Sequence, residues 1–167
     1  MNPSILIAGI GNIFLGDDAF GSEVARRLLG RAWPDNVRVV DFGIRGVDLT
    51  FALLENYDTV ILIDAVPRGG APGTLYTIEP DLDSLDETGI EAHSMNPARV
   101  LASARSMGAR FGRILIVGCE PAPKTVDPEG EGSMGLSAPV AAAVEEAARI
   151  VERLVESGAG IAPVPHR

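Results

Sequence analysis

Three short runs constrain what this chain can fold into: Ile5-Leu6-Ile7-Ala8, Thr59-Val60-Ile61-Leu62-Ile63-Asp64 and Arg113-Ile114-Leu115-Ile116-Val117-Gly118. Each is apolar at consecutive positions. A strand turns successive side chains to opposite faces, so a run without alternation must be covered on both sides. Strands of that kind belong to parallel sheets with helices packed above and below. The Thr59 to Asp64 run is the most apolar and is expected at the centre. Val37-Arg38-Val39-Val40-Asp41 reads as a further strand. Gly73-Thr74-Leu75-Tyr76-Thr77-Ile78 has a polar alternate face and suits an edge or antiparallel strand.

Helical patterns fill the intervals. Phe20 to Leu29 places Val24, Leu28 and Leu29 opposite Arg26 and Arg27. A short helix is expected over Asp48 to Asn56, with Asp48 as its N-cap. Asn96 to Met107 has Pro97 in its first turn and Gly108 beyond its end. Ser137 opens a long helix with Pro139 in its first turn and a stripe running from Val140 to Val155. Five strand-like segments alternating with helices predict an α/β three-layer sandwich, with a mostly parallel sheet and helices on both faces. Residues 1–157 are read as one domain and 158–167, rich in Gly and Pro, as a flexible tail. Ala122 to Gly132 reads as a flexible loop.

A chain of 167 residues can bury enough surface to need neither a disulfide nor a structural metal. The one cysteine, Cys119, excludes a disulfide framework and any multi-thiolate zinc site. A net charge of −9 argues against nucleic acid, which demands clustered Lys and Arg. No apolar stretch approaches the roughly 18 residues of a membrane span. The first residues lack the basic region of a secretory leader, so a cytoplasmic monomer is expected.

In open α/β sheets ligands gather outside the carboxyl ends of the strands. The residues that follow those ends here are Gly9-Ile10-Gly11-Asn12 leading to Asp17-Asp18, then Asp41-Phe42-Gly43, then Asp64, then a polar stretch reaching His93, and finally Gly118-Cys119-Glu120-Pro121. The glycine loop invites a dinucleotide-binding reading, but that fingerprint wants a third glycine where Phe14 stands. Adjacent carboxylates would also repel a pyrophosphate, and no phosphate-cradling Gly-Lys-Ser/Thr motif is present. The glycines are read instead as a tight turn that brings the backbone close to a site.

One of the two acids Asp17 and Asp18 is expected to serve the start of the following helix, and residue chemistry does not choose which. Asp64 ends a buried strand, where an unpaired carboxylate must meet a cation, a donor or a metal. Carboxylates with one imidazole make a mixed O/N set suited to a divalent transition metal with open positions. A serine–histidine–acid arrangement is not expected. His93 and His166 are the two histidines, His166 lies in the tail, and no Ser has a Gly-x-Ser-x-Gly context.

The segment Gly9-Ile10-Gly11-Asn12-Ile13-Phe14-Leu15-Gly16-Asp17-Asp18-Ala19-Phe20-Gly21 resembles the N-terminal signature of the hydrogenase maturation endopeptidases. Asp41-Phe42-Gly43 with Gly46, Ile63-Asp64-Ala65 with Pro72-Gly73-Thr74, His93-Ser94, Gly118-Cys119-Glu120-Pro121 and Met134-Gly135-Leu136-Ser137 follow in the same order. Ala19 stands where many members have Gly, and Cys119 where an aliphatic residue is common. The resemblance implies a five-stranded twisted sheet. It implies that Asp18, rather than Asp17, joins Asp64 and His93 as the metal-binding set. It also implies the activity: removal of a C-terminal extension from the nickel–iron hydrogenase large-subunit precursor after nickel insertion. The nickel would arrive with the substrate, although other divalent ions suit the same ligands. Asp17 or Asp41 is a candidate to orient His93 or accept a proton during hydrolysis. A non-enzymatic checkpoint that recognises the loaded precursor would use the same residues. Cys119 is expected to be a small buried apolar group.

Overall fold

The computed structural model describes residues 3–84, 96–123 and 135–157. The apolar runs become strands β1 (Ile5–Ile10), β3 (Thr59–Ala65) and β5 (Arg113–Cys119), joined by β2 (Val37–Gly43) and β4 (Leu75–Ile78). The sheet has five strands in the order β2-β1-β3-β5-β4. β1 pairs in parallel with both β2 and β3, and β3 in parallel with β5. Only β4 is antiparallel, at the edge, as its polar alternate face predicts.

The double-sided burial inferred from the apolar runs is observed residue by residue. Ile5, Ile7, Ile61 and Ile63 pack on one face with α1 (Phe20–Leu29) and α4 (Ala138–Glu156), through Phe20, Val24, Leu28, Val144 and Val151. Leu6, Ala8, Val60 and Leu62 pack on the other with α2 (Gly46–Leu53) and α3 (Pro97–Ser106), through Leu49, Leu53 and Leu101. Period-two alternation thus feeds two cores from the same strands. This is the expected three-layer sandwich.

Helix α2 departs from its predicted start. It begins at Gly46 with Arg45 in the N-cap position, so Asp48 lies in the first turn instead of capping it. The cause is the turn after β2. Gly43 takes φ 57° and Arg45 N–H donates to the Phe42 carbonyl at 2.9 Å, which launches the helix early. The chain leaves the helix before the expected end, and Asn56 adopts φ 57°. Asn96 caps α3, accepting from Ala98 N–H at 2.9 Å, as expected. The expected flexible tail, 158–167, and most of the expected loop, 124–132, lie outside the described residues.

The strand order places a switch point between β1 and β3. The chain leaves β1 toward β2 and later returns to add β3 on β1's other side. Open α/β sheets gather ligands at such a point. The first turn of α1 packs directly against both strand ends. A Cβ at Gly21 would lie 2.0 Å from the Ile63 carbonyl oxygen and 2.1 Å from that of Ile10. Among the described residues, no helix is long and apolar enough to cross a membrane.

Candidate active site

Asp64 occupies the carboxyl end of β3, opposite Gly118 of β5. It is buried, because the apolar strand carries it into the packed sheet. Among the described residues its side chain has one hydrogen-bond donor, the adjacent Ala65 N–H, at 2.9 Å from Oδ1. Burial above all, and the nearby charge of Asp18 second, push its carboxyl well above the usual carboxylate range. The Ala65 N–H offsets only part of this.

Asp18 comes from the other side of the switch point. After β1 the chain makes a tight loop, with Leu15 N–H donating to the Asn12 carbonyl at 3.1 Å, and enters a single 3-10 turn, Gly16–Ala19. Asp18 accepts the Asn12 N–H at 3.1 Å. The glycines of the signature serve this approach. A Cβ on Gly11 would lie 2.2 Å from the Asp18 carbonyl oxygen, so only glycine lets β1 run beneath the turn.

Asp17, one residue earlier, points elsewhere. Its carboxylate accepts from Ala122 N–H at 2.8 Å, Ser137 N–H at 2.7 Å and Ser137 Oγ at 2.8 Å. Neither acid caps α1, whose N-cap position is Ala19 with no side-chain cap. Both acids lie in the first turn of the 3-10 helix that leads into α1, as expected of one of them, and Asp17 also binds the start of α4.

Asp41 accepts from Ser22 Oγ at 2.7 Å and Gly43 N–H at 3.0 Å, and Arg26 Nε lies 3.4 Å from its second oxygen. It lines a cleft of about 320 Å³ with Gly11, Phe14, Ser22, Arg26 and Ile44, on the β2 side of β1. Phe14 and Ile44 stand exposed at that cleft. Asp18 and Asp64 do not line it. His93 lies outside the described residues. Among the described residues no three His, Cys, Asp or Glu side chains gather to hold a metal ion.

Glu120 is a second buried acid, directly after β5. It accepts from Arg68 N–H at 2.8 Å, Gly70 N–H at 2.8 Å and Tyr76 Oη at 2.7 Å, which fastens the loop that follows Asp64. The Tyr76 hydroxyl and these amides hold its carboxyl below the usual range. Sequence reasoning gave Glu120 no role. The signal that singled out Asp64, an acid at the end of a buried strand, marks Glu120 as well. Cys119 is fully buried, as expected. Burial first, then the charges of Asp17 and Glu120, push its thiol up to about 11, so it is no nucleophile at neutral pH.

The arrangement is two like-charged carboxylates at a switch point, one buried with a single donor, beside a rim of loops. Such a pair is suited to a cation or to proton transfer in hydrolysis. A hydrogenase maturation protease family model, HycI, matches residues 22–154. A hydrogenase maturation protease of Methanocaldococcus jannaschii, itself described as putative, is 34% identical over 149 residues, 88% of this chain and 93% of that protein. The hydrogenase 2 maturation protease of Escherichia coli is 32% identical over 95% of both chains. Among solved structures, the hydrogenase maturating endopeptidase HybD from E. coli superposes with a TM-score of 0.73 at 28% identity, covering 93% of this chain and 94% of that one. The hydrogenase maturation protease HycI from Thermococcus kodakarensis gives 0.72 at 26% identity, covering 92% and 93%. In sequence and fold alike, the chain belongs to the hydrogenase maturation proteases.

Proposed function

We propose that this peptidase removes the C-terminal extension of a nickel–iron hydrogenase large-subunit precursor after nickel insertion, and that Asp18, Asp64 and His93 receive the nickel the precursor carries. The observation that carries this reading is the condition of Asp64. A buried carboxylate with one donor and a like charge nearby is a costly arrangement that a cation relieves. The donor set fits: two carboxylates of this chain and one imidazole leave positions for the substrate's own ligands. Seated nickel supplies a Lewis acid for the scissile carbonyl and lowers the pKa of a bound water. Asp18 and Asp64 bind and orient the loaded end of the precursor. On this reading one of the two also takes a proton from the attacking water. Asp41 is committed to Ser22, Gly43 and Arg26, so it acts on the reaction by holding the β2 side of the loops.

Incubating the purified protein with nickel-loaded and nickel-free precursor, followed by mass measurement of the product, tests the reading. Loaded precursor is expected to lose its extension and nickel-free precursor to keep it. Loaded precursor that binds with unchanged mass would identify a checkpoint that recognises nickel without cutting.

A further inference from the structure

One carboxylate ties together three parts of the chain that meet beside the candidate site. Asp17 lies in the same 3-10 turn as Asp18. Its Oδ2 accepts from Ala122 N–H at 2.8 Å, just past the end of β5. Its two oxygens also accept from Ser137 N–H at 2.7 Å and Ser137 Oγ at 2.8 Å, at the start of α4. Both ends of the connection between β5 and α4 are thereby fastened to the turn that carries Asp18.

Ser137 gives a second, independent sign of this arrangement. It occupies the N-cap position of α4, where a serine hydroxyl ordinarily accepts a hydrogen bond from its own helix. Here it makes no such cap, and the hydroxyl donates to Asp17 instead. The helix's usual cap is given up for a contact with another element. The Asp17 charge also sits favourably against the positive end of the helix.

Asp18 needs such an anchor. Among the described residues its side chain has a single hydrogen bond, from Asn12 N–H at 3.1 Å, so its position rests on the turn that carries it. On the peptidase reading above, we infer that Asp17 is a positioning residue: through Ser137 and Ala122 it holds the turn against α4 and so sets Asp18 in register with Asp64. Preorganisation of this kind acts on the chemical step, because a displacement of about 1 Å in a reacting constellation can lower the rate by as much as about 100-fold.

The test measures kcat and KM for nickel-loaded precursor, well below each protein's melting temperature, for wild type, Asp17→Asn, Ser137→Ala and Ser137→Thr. Asp17→Asn is expected to lower kcat roughly tenfold with KM little changed. Ser137→Ala is expected to lower it a few-fold, and Ser137→Thr, which keeps the hydroxyl, to restore it. Should Asp17→Asn fail to fold, the Ser137 pair carries the test. A wild-type kcat in either folded variant, Asp17→Asn or Ser137→Ala, overturns the inference and leaves Asp17 a structural tie alone. A wild-type protein that leaves loaded precursor intact overturns the peptidase reading, and the inference with it.

Discussion

Asp64 and Glu120 stand at the carboxyl ends of neighbouring strands, 7% and 4% exposed, yet their carboxyl groups are displaced in opposite directions. The difference is donors. Glu120 accepts from two backbone amides and the Tyr76 hydroxyl, whereas Asp64 has the Ala65 N–H and the opposing charge of Asp18. Burial alone therefore does not decide in which direction a buried carboxyl is displaced. The count of donors does.

Asp64→Asn is expected to abolish processing and raise the melting temperature of the metal-free protein. The amide removes a desolvated, repelled charge and keeps an acceptor for Ala65 N–H. Because the folded-state pKa of Asp64 is raised, the folded protein holds its proton more tightly than the unfolded chain. Ionised Asp64 therefore costs stability as pH rises through that interval. Thermal unfolding from mildly acidic to neutral pH should show the advantage of Asp64→Asn growing with pH. A lower melting temperature at neutral pH would contradict this account.

Glu120 carries the opposite sign. Its folded-state pKa is depressed, so its stabilisation is fully present above the ordinary carboxylate range and is lost as pH falls through the lower folded value. Glu120→Gln should lower the melting temperature at neutral pH and lose less stability than wild type on acidification. Since Glu120 fastens the loop after Asp64, amides at Arg68 and Gly70 should also exchange faster with solvent. Unchanged exchange there would show that the loop is held by other contacts.

The two members of the Asp17-Asp18 pair should separate in assay. Asp18→Asn is expected to remove nearly all processing of loaded precursor, while Asp17→Asn retains a measurable part. Equal and complete loss in two folded proteins would mean that the roles have been divided wrongly.

His93→Ala is expected to reduce processing by at least about 100-fold, since removing even groups that only orient a metal ligand costs about 10–100-fold. The circular dichroism spectrum should be unchanged. Normal processing by this variant would remove His93 from the site.

Gly21→Ala probes the packing of α1 against the strand ends. The added Cβ would meet two backbone carbonyl oxygens, of Ile10 and Ile63, neither of which can rotate aside. A loss of about 3 kcal/mol or more is expected in denaturant unfolding. A variant as stable as wild type would show that α1 can lift from the strand ends without cost.

Most of the architecture was legible in the chain because burial on both faces writes itself as uninterrupted apolar runs. Ile5 to Ala8 predicted a buried strand, Thr59 to Asp64 the central one, and Gly73 to Ile78 with its polar face an edge or antiparallel strand. The α2 start was not legible, because it depends on the positive φ of Gly43 and a turn bond to Phe42 rather than on Asp48. The rim of acids was likewise visible as residues that follow strand ends. Their division of labour was not. Asp17 and Asp18 are adjacent and chemically identical, and only the fold brings Ala122 and Ser137 to one of them and Asp64 to the other. Sequence by itself determined where carboxylates would meet an apolar sheet, since hydrophobic patterning is local. Tertiary structure alone decided which of them would be satisfied, because the hydrogen-bond donors come from segments as far as 120 residues away.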